Sequence, residues 1–172
     1  DVCSSDLNGP LKWVSEKDGT KATLKSTFQK EDGVTLENHI LECTFRYEEE
    51  LDRTQIVYND EFGHAIIIQL SPDYHHVRKW PDQDLLHRFE EFPDASGSSL
   101  KPGELYTVMV EICDSEFLIR INDNDFLFGE NYRAGRAKHR IAVSVEGGQS
   151  TLESIRLWEG TPRSDWRKNR EA

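Results

Sequence analysis

From His39 to Tyr47 the chain reads HILECTFRY, with Leu41, Cys43, Phe45 and Tyr47 on one side of an alternation and Glu42, Thr44 and Arg46 on the other. Successive side chains of a β-strand point to opposite faces, so a period of two marks a strand with one buried and one solvated face. Such a strand cannot stand alone, because its backbone donors and acceptors need neighbours and its apolar face needs cover. The rest of the chain has to supply both adjacent strands and an opposing layer.

Segments of similar type recur at Arg53–Asn59, His64–Leu70, His75–Trp80, Leu105–Ile112, Phe117–Ile121, Phe126–Phe128, His139–Val145 and Thr151–Trp158, with turn-forming residues between most of them. Many short strands with regular turn signals predict an all-β sandwich or barrel. Asn122–Asp125 tolerates left-handed backbone and bonds its own main chain, so Phe117–Ile121 and Phe126–Phe128 read as a hairpin. In Asp84–Phe92 the positions of Leu85, Phe89 and Phe92 also fit helical spacing; the segment is assigned to strand.

Asp94–Pro102 is polar and rich in Ser and Gly, which marks a loop, and strands of one type flank it. Residues 8–160 are therefore read as one sandwich domain. Residues 1–7 (DVCSSDL) form a leader without periodicity, and 161–172 form a basic tail with Arg163, Arg167, Lys168 and Arg170 around Trp166.

At 172 residues and 36% apolar content the chain is long enough for a real core. Its net charge of -11, with no basic patch in the body of the chain, speaks against nucleic acid as a partner. No run of about 18 apolar residues occurs, so no membrane-spanning helix is expected. The first residue is Asp1 rather than methionine, which suits either a removed signal peptide, and with it a secreted or periplasmic setting, or a fragment of a longer chain.

Cys3, Cys43 and Cys113 are odd in number and far apart, with no C-x-x-C pair and no zinc spacing. Asn59–Glu61 and Asn122–Asp125 offer oxygens, but neither follows the calcium-loop pattern, and turn chemistry accounts for both. Neither a metal nor another cofactor is expected.

Two runs carry a resemblance: KPGELYTVMVEICDSEFLIRINDNDFLFG, from Lys101 to Gly129, and HRIAVSVEGGQSTLESIRLWEG, from His139 to Gly160. Pro102-Gly103-Glu104 before a strand, a hairpin at Asn122-Asp123 and a late strand closing at Ile155–Trp158 stand in the order found in the 3-keto-disaccharide hydrolase-like domain family. The second half resembles that family well and Gly33–Gln69 loosely. The resemblance implies a concanavalin A-like, two-sheet antiparallel jelly roll with saccharide as the partner.

It also implies site positions, from which this chain departs. Tyr58 stands near the family's expected arginine, and Ile67 stands where an acid is expected, while Gln69 keeps the family's glutamine.

The residues themselves offer one dense constellation, Tyr74–Trp80, in which alternation puts His76, Arg78 and Trp80 together. An aromatic ring covers the apolar face of a pyranose, while Arg and His donate to hydroxyls. An exposed, cross-paired strand face is the plainer account of the same residues. Arg46, Tyr58, Gln69 and Trp80 are the candidate saccharide contacts, and His64, His76 and Arg78 the candidate catalytic groups.

Family-type chemistry would cleave a glycosidic bond in a 3-keto sugar, whose carbonyl acidifies a neighbouring C–H. His64 or His76 would serve as base and Arg78 would polarise the carbonyl. The 32 acidic residues single out no carboxylate pair for ordinary glycoside hydrolysis. A non-catalytic carbohydrate-binding or adhesion module, and a structural sandwich that meets other domains or protein partners, remain open beside the enzyme.

Overall fold

The computed structural model describes residues 11–14, 22–24, 36–47, 53–72, 75–79, 90–91, 100–122, 124–146 and 149–159. Within them run the strands β1 (Leu11–Val14), β2 (Ala22–Leu24), β3 (His39–Tyr47), β4 (Arg53–Asp60), β5 (Gly63–Leu70) and β6 (His75–Lys79). They are followed by β7 (Glu90–Glu91), β8 (Leu105–Cys113), β9 (Glu116–Ile121), β10 (Asn124–Glu130), β11 (Arg140–Glu146) and β12 (Gln149–Glu159). There is no helix among the described residues.

Two six-stranded sheets form, ordered β1-β12-β3-β8-β9-β10 and β2-β11-β4-β5-β6-β7, and every pairing is antiparallel. The chain alternates between the sheets at its start and again from β10 to β12, so strands distant in sequence become neighbours. The fold is the two-sheet antiparallel jelly-roll sandwich expected from the sequence.

β3 has the bounds that its alternation indicates, and its apolar side is the inner face: Leu41, Cys43 and Phe45 are fully buried. β8 continues this layer with Tyr106, Val108, Val110 and Ile112, while Ile56, Tyr58, Ile66 and Ile68 of β4 and β5 belong to the same core from the opposing sheet. Burial of such side chains, at roughly 25 cal/mol per Å² of apolar surface, drives the two layers together.

Cys43 and Cys113 are not bridged. The first faces the core, where burial and the Glu42 charge push its thiol up to about 12. The second has the opposite parity to Val108, Val110 and Ile112 on β8.

β1 and β2 went unread in the sequence because strands of four and three residues hold too little alternation to recognise. They lie at the edges of their sheets, on β12 and β11. Of the ambiguous Asp84–Phe92 segment, Glu90 and Glu91 are extended as β7, and its other residues lie outside the described ones. So do the leader, the basic tail and Trp80.

Candidate functional site

The strand register of the second sheet arranges its outer face into rows. One row runs Ser144, Gln55, Gln69 and His76 across β11, β4, β5 and β6. The next runs Ala142, Val57, Ile67 and Arg78, and β7 adds Glu91 opposite Arg78. The third holds Arg140, Asn59 and His64.

A β-bulge makes that third row. The register shifts between Tyr58 and Asn59, so Asn59 pairs with His64 while Tyr58 pairs with Ile66. A bulge inserts one residue on one strand and re-aims the side chains beyond it. Here it brings Asn59 Oδ1 within 2.5 Å of His64 Nδ1. An amide oxygen accepts, so in this bond the imidazole donates from Nδ1.

In the first row Gln55 Nε2 donates to Gln69 Oε1 at 3.4 Å. Gln69 is only 1% exposed, so it serves as floor and orients the more accessible Gln55. Val57 and Ala142 between the polar rows are buried as well. The face thus offers amides, a hydroxyl and an imidazole on either side of an apolar strip.

Other sequence candidates lie elsewhere. Tyr58 points into the core, fully buried, with its ring 5.5 Å from that of His39, so it does not reach the sheet surface. Its parity with Ile56 turns it inward, against the outward position that the family comparison suggested. Arg46 stands on the outer face of the other sheet, donating to Gly103 O at 3.1 Å and pairing with Glu153 at 3.4 Å. It therefore shares no face with Gln69 or His64. His76 and Arg78 keep the register positions given above, opposite Gln69 and Ile67.

The end of the sandwich beside Asn59 and His64 carries groups that the sequence reading missed. Arg133, on the β10–β11 connection, donates from Nε to Asp60 Oδ2 at 2.7 Å and from Nη2 to Oδ1, and its Nη1 reaches His64 O at 3.2 Å. Burial works to raise the Asp60 pKa. The hydrogen bonds from Arg133 and the Phe62 amide, with the Arg133 and Lys138 charges, outweigh it and hold the carboxyl below its ordinary value.

Lys138 Nζ donates to the carbonyls of Arg133, at 2.7 Å, and Ala134, at 2.8 Å, and to that of Arg136. Burial holds its ammonium down to about 8 against the opposing charge of Asp60. Above this frame Arg136 lies across two exposed rings, 4.7 Å from the Phe62 centroid and 5.4 Å from that of Tyr132, and pairs with Glu61 at 3.1 Å. The signal for this end was the cation-rich run Tyr132–Lys138 (YRAGRAK) between two strands.

Among the described residues no group of three or more His, Cys, Asp or Glu side chains could hold a metal ion. No described helix is long and apolar enough to cross a membrane.

Known proteins resemble this chain in shape and not in sequence. No protein-family profile matches it, and no curated protein matches it by sequence. The solved structures that share its fold include galectin LEC-6 of Caenorhabditis elegans, with a TM-score of 0.53 and 9% identity over 85% of this chain and 94% of that one. Chicken galectin 2 gives a TM-score of 0.53 and 12% identity over 73% of this chain and 94% of its own. CG-16, a homodimeric agglutinin from chicken liver, gives 0.52 and 10% over 86% and 98%. At such identities the likeness is one of fold: the chain has a galectin-like, concanavalin A-like jelly roll.

Proposed function

We propose that this chain is a carbohydrate-binding β-sandwich whose saccharide lies on the outer face of β4, β5 and β6. The observation that carries the reading is the pair of polar rows, Ser144–Gln55–Gln69–His76 and Arg140–Asn59–His64, on either side of the Val57–Ile67 strip. Neighbouring strands stand about 4.8 Å apart, a spacing comparable with the width of a sugar ring. Ile67, the partly exposed member of the strip, suits the C–H face of a pyranose, and the accessible members of the rows, Gln55, Asn59 and His64, offer donors and acceptors to its hydroxyls. The Arg78 and Glu91 positions extend the face toward the sheet edge. The galectin-like fold supports a lectin role by analogy of architecture.

The resemblance to 3-keto-disaccharide hydrolases supports a catalytic form of the same reading. His64, polarised by Asn59, would then take the proton from the carbon beside the keto group.

A glycan array followed by titration calorimetry tests the proposal. The wild-type chain is expected to bind a neutral saccharide, and His64→Ala and Arg78→Ala to weaken it at least tenfold with the unfolding transition intact. Silence across the whole array, or equal affinity in both variants, rejects this face. Incubation with 3-keto-disaccharides separates the two forms: turnover lost in His64→Ala supports the enzyme, and binding without turnover supports the lectin.

A further inference from the structure

The rim that adjoins this face is built as carefully as the face itself. Phe62, at the tip of the β4–β5 hairpin, is 58% exposed, and Tyr132 across from it is 40% exposed. Large exposed rings are costly in water unless something covers them, and Tyr and Arg are the side chains most often found where binding energy concentrates. The Arg136 guanidinium spans both rings, which gathers the three side chains on one rim.

The frame beneath is fixed independently. Asp60 and Arg133 are joined in the interior, Lys138 ties down three carbonyls of the loop, and the Asn131 amide donates to Ser115 O at 2.7 Å. The rim also runs directly into the proposed face. Phe62 is two residues from His64, Arg133 reaches His64 O, and the His139 amide donates to Asn59 O at 3.0 Å.

We infer that Phe62, Arg136 and Glu61 form an outer subsite for a further neutral hexose of a glycan longer than a disaccharide, an inference that rests on the saccharide reading above. Phe62 supplies the ring against which a pyranose stacks its C–H face. Arg136 donates to hydroxyls and Glu61 accepts from them. Their ion pair, with side chains 33% and 62% exposed, is the kind that contributes little in water, so either partner turns to a ligand at small cost. Glu61 cancels the Arg136 charge on the spot and the chain as a whole carries -11, which selects a neutral sugar over an acidic one.

Titration calorimetry of the full chain with matched neutral di- and tetrasaccharides of gluco-, galacto- and manno-configuration tests the subsite. The tetrasaccharide that binds is expected to do so more tightly than its disaccharide. Phe62→Ala should weaken the tetrasaccharide about tenfold and leave the disaccharide within about twofold. Arg136→Gln should act in the same direction, and the unfolding midpoint of each variant checks that the frame persists. Disaccharide binding with no length dependence, or equal loss for both lengths, overturns the subsite while the face stands. Absence of any saccharide binding overturns both. A concentration-dependent dimer in sedimentation velocity, abolished by Phe62→Ala, would assign the patch to a second copy of the chain and overturn the subsite too.

Discussion

Arg133 and Asp60 meet inside the protein, their side chains 2% and 1% exposed and joined through two parallel donors, although 73 residues separate them in sequence. A buried ion pair is weak evidence for net stability, but removing one partner strands a charge without water. Arg133→Met should therefore lower unfolding stability by about 3–5 kcal/mol, read from urea midpoints. The double variant Asp60→Asn, Arg133→Met should recover part of that loss. Equal loss in the single and double variants would show that packing, and not the stranded charge, sets the cost.

His39 gives the fold its acid sensitivity. Burial pushes its imidazole down to about 4, partly opposed by its bond to Glu37 O, with the Lys138 charge acting in the same downward direction. The unfolded chain takes up the proton near 6.5 and the folded chain only near 4, so stability falls as pH drops through that window. The full effect is about 3 kcal/mol. Asp60, whose folded pKa is depressed, withdraws its own contribution only below its ordinary 3.8, so the two windows are separate. Urea midpoints between pH 7 and 4 should fall in the wild type and flatten in His39→Phe.

The Tyr58 hydroxyl is buried with no hydrogen-bond partner among the described residues, and the ring beneath it packs in the core. An orphan hydroxyl costs its desolvation and returns nothing. Tyr58→Phe should thus leave stability unchanged or raise it by about 1 kcal/mol. A loss of that size in denaturation would mean that the hydroxyl is paired in solution.

Gly135 sits where a Cβ would stand 2.6 Å from the backbone oxygen of Asp114. Backbone cannot yield as a side-chain tip does, so Gly135→Ala should destabilise by about 1–3 kcal/mol. The loss should register in hydrogen exchange at the Asn131 amide, which bonds the same β8–β9 turn at Ser115 O. Unchanged protection there would show that the turn moves aside freely.

Which parts of this were legible follows from the range of each signal. Strands β3 and β8 were read close to their observed bounds from their alternation, and β4, β5 and β9 as short runs around an apolar stretch between turn signals; both are local properties of the chain. That Tyr58 points inward was legible too, from its parity with Ile56; the family alignment pulled it outward. That Arg46 lies on the opposite sheet was not legible, since it depends on β3 pairing with β8 and β12 far along the chain. Arg46→Ala should accordingly leave binding at the proposed β4–β6 face unchanged in the same titrations. The Asp60–Arg133 pair and the Arg136 cluster are tertiary meetings of two loops, and no local pattern announces such a meeting.

The Lys138 clasp carries a consequence for how this fold diversifies. By answering the carbonyls of Arg133, Ala134 and Arg136 with one ammonium, it settles the loop's main chain without help from the side chains at its crest. Tyr132 and Arg136 are then interchangeable fittings on a fixed mount. Substitutions at either crest position should therefore leave the loop's path and the two-sheet sandwich below it in place.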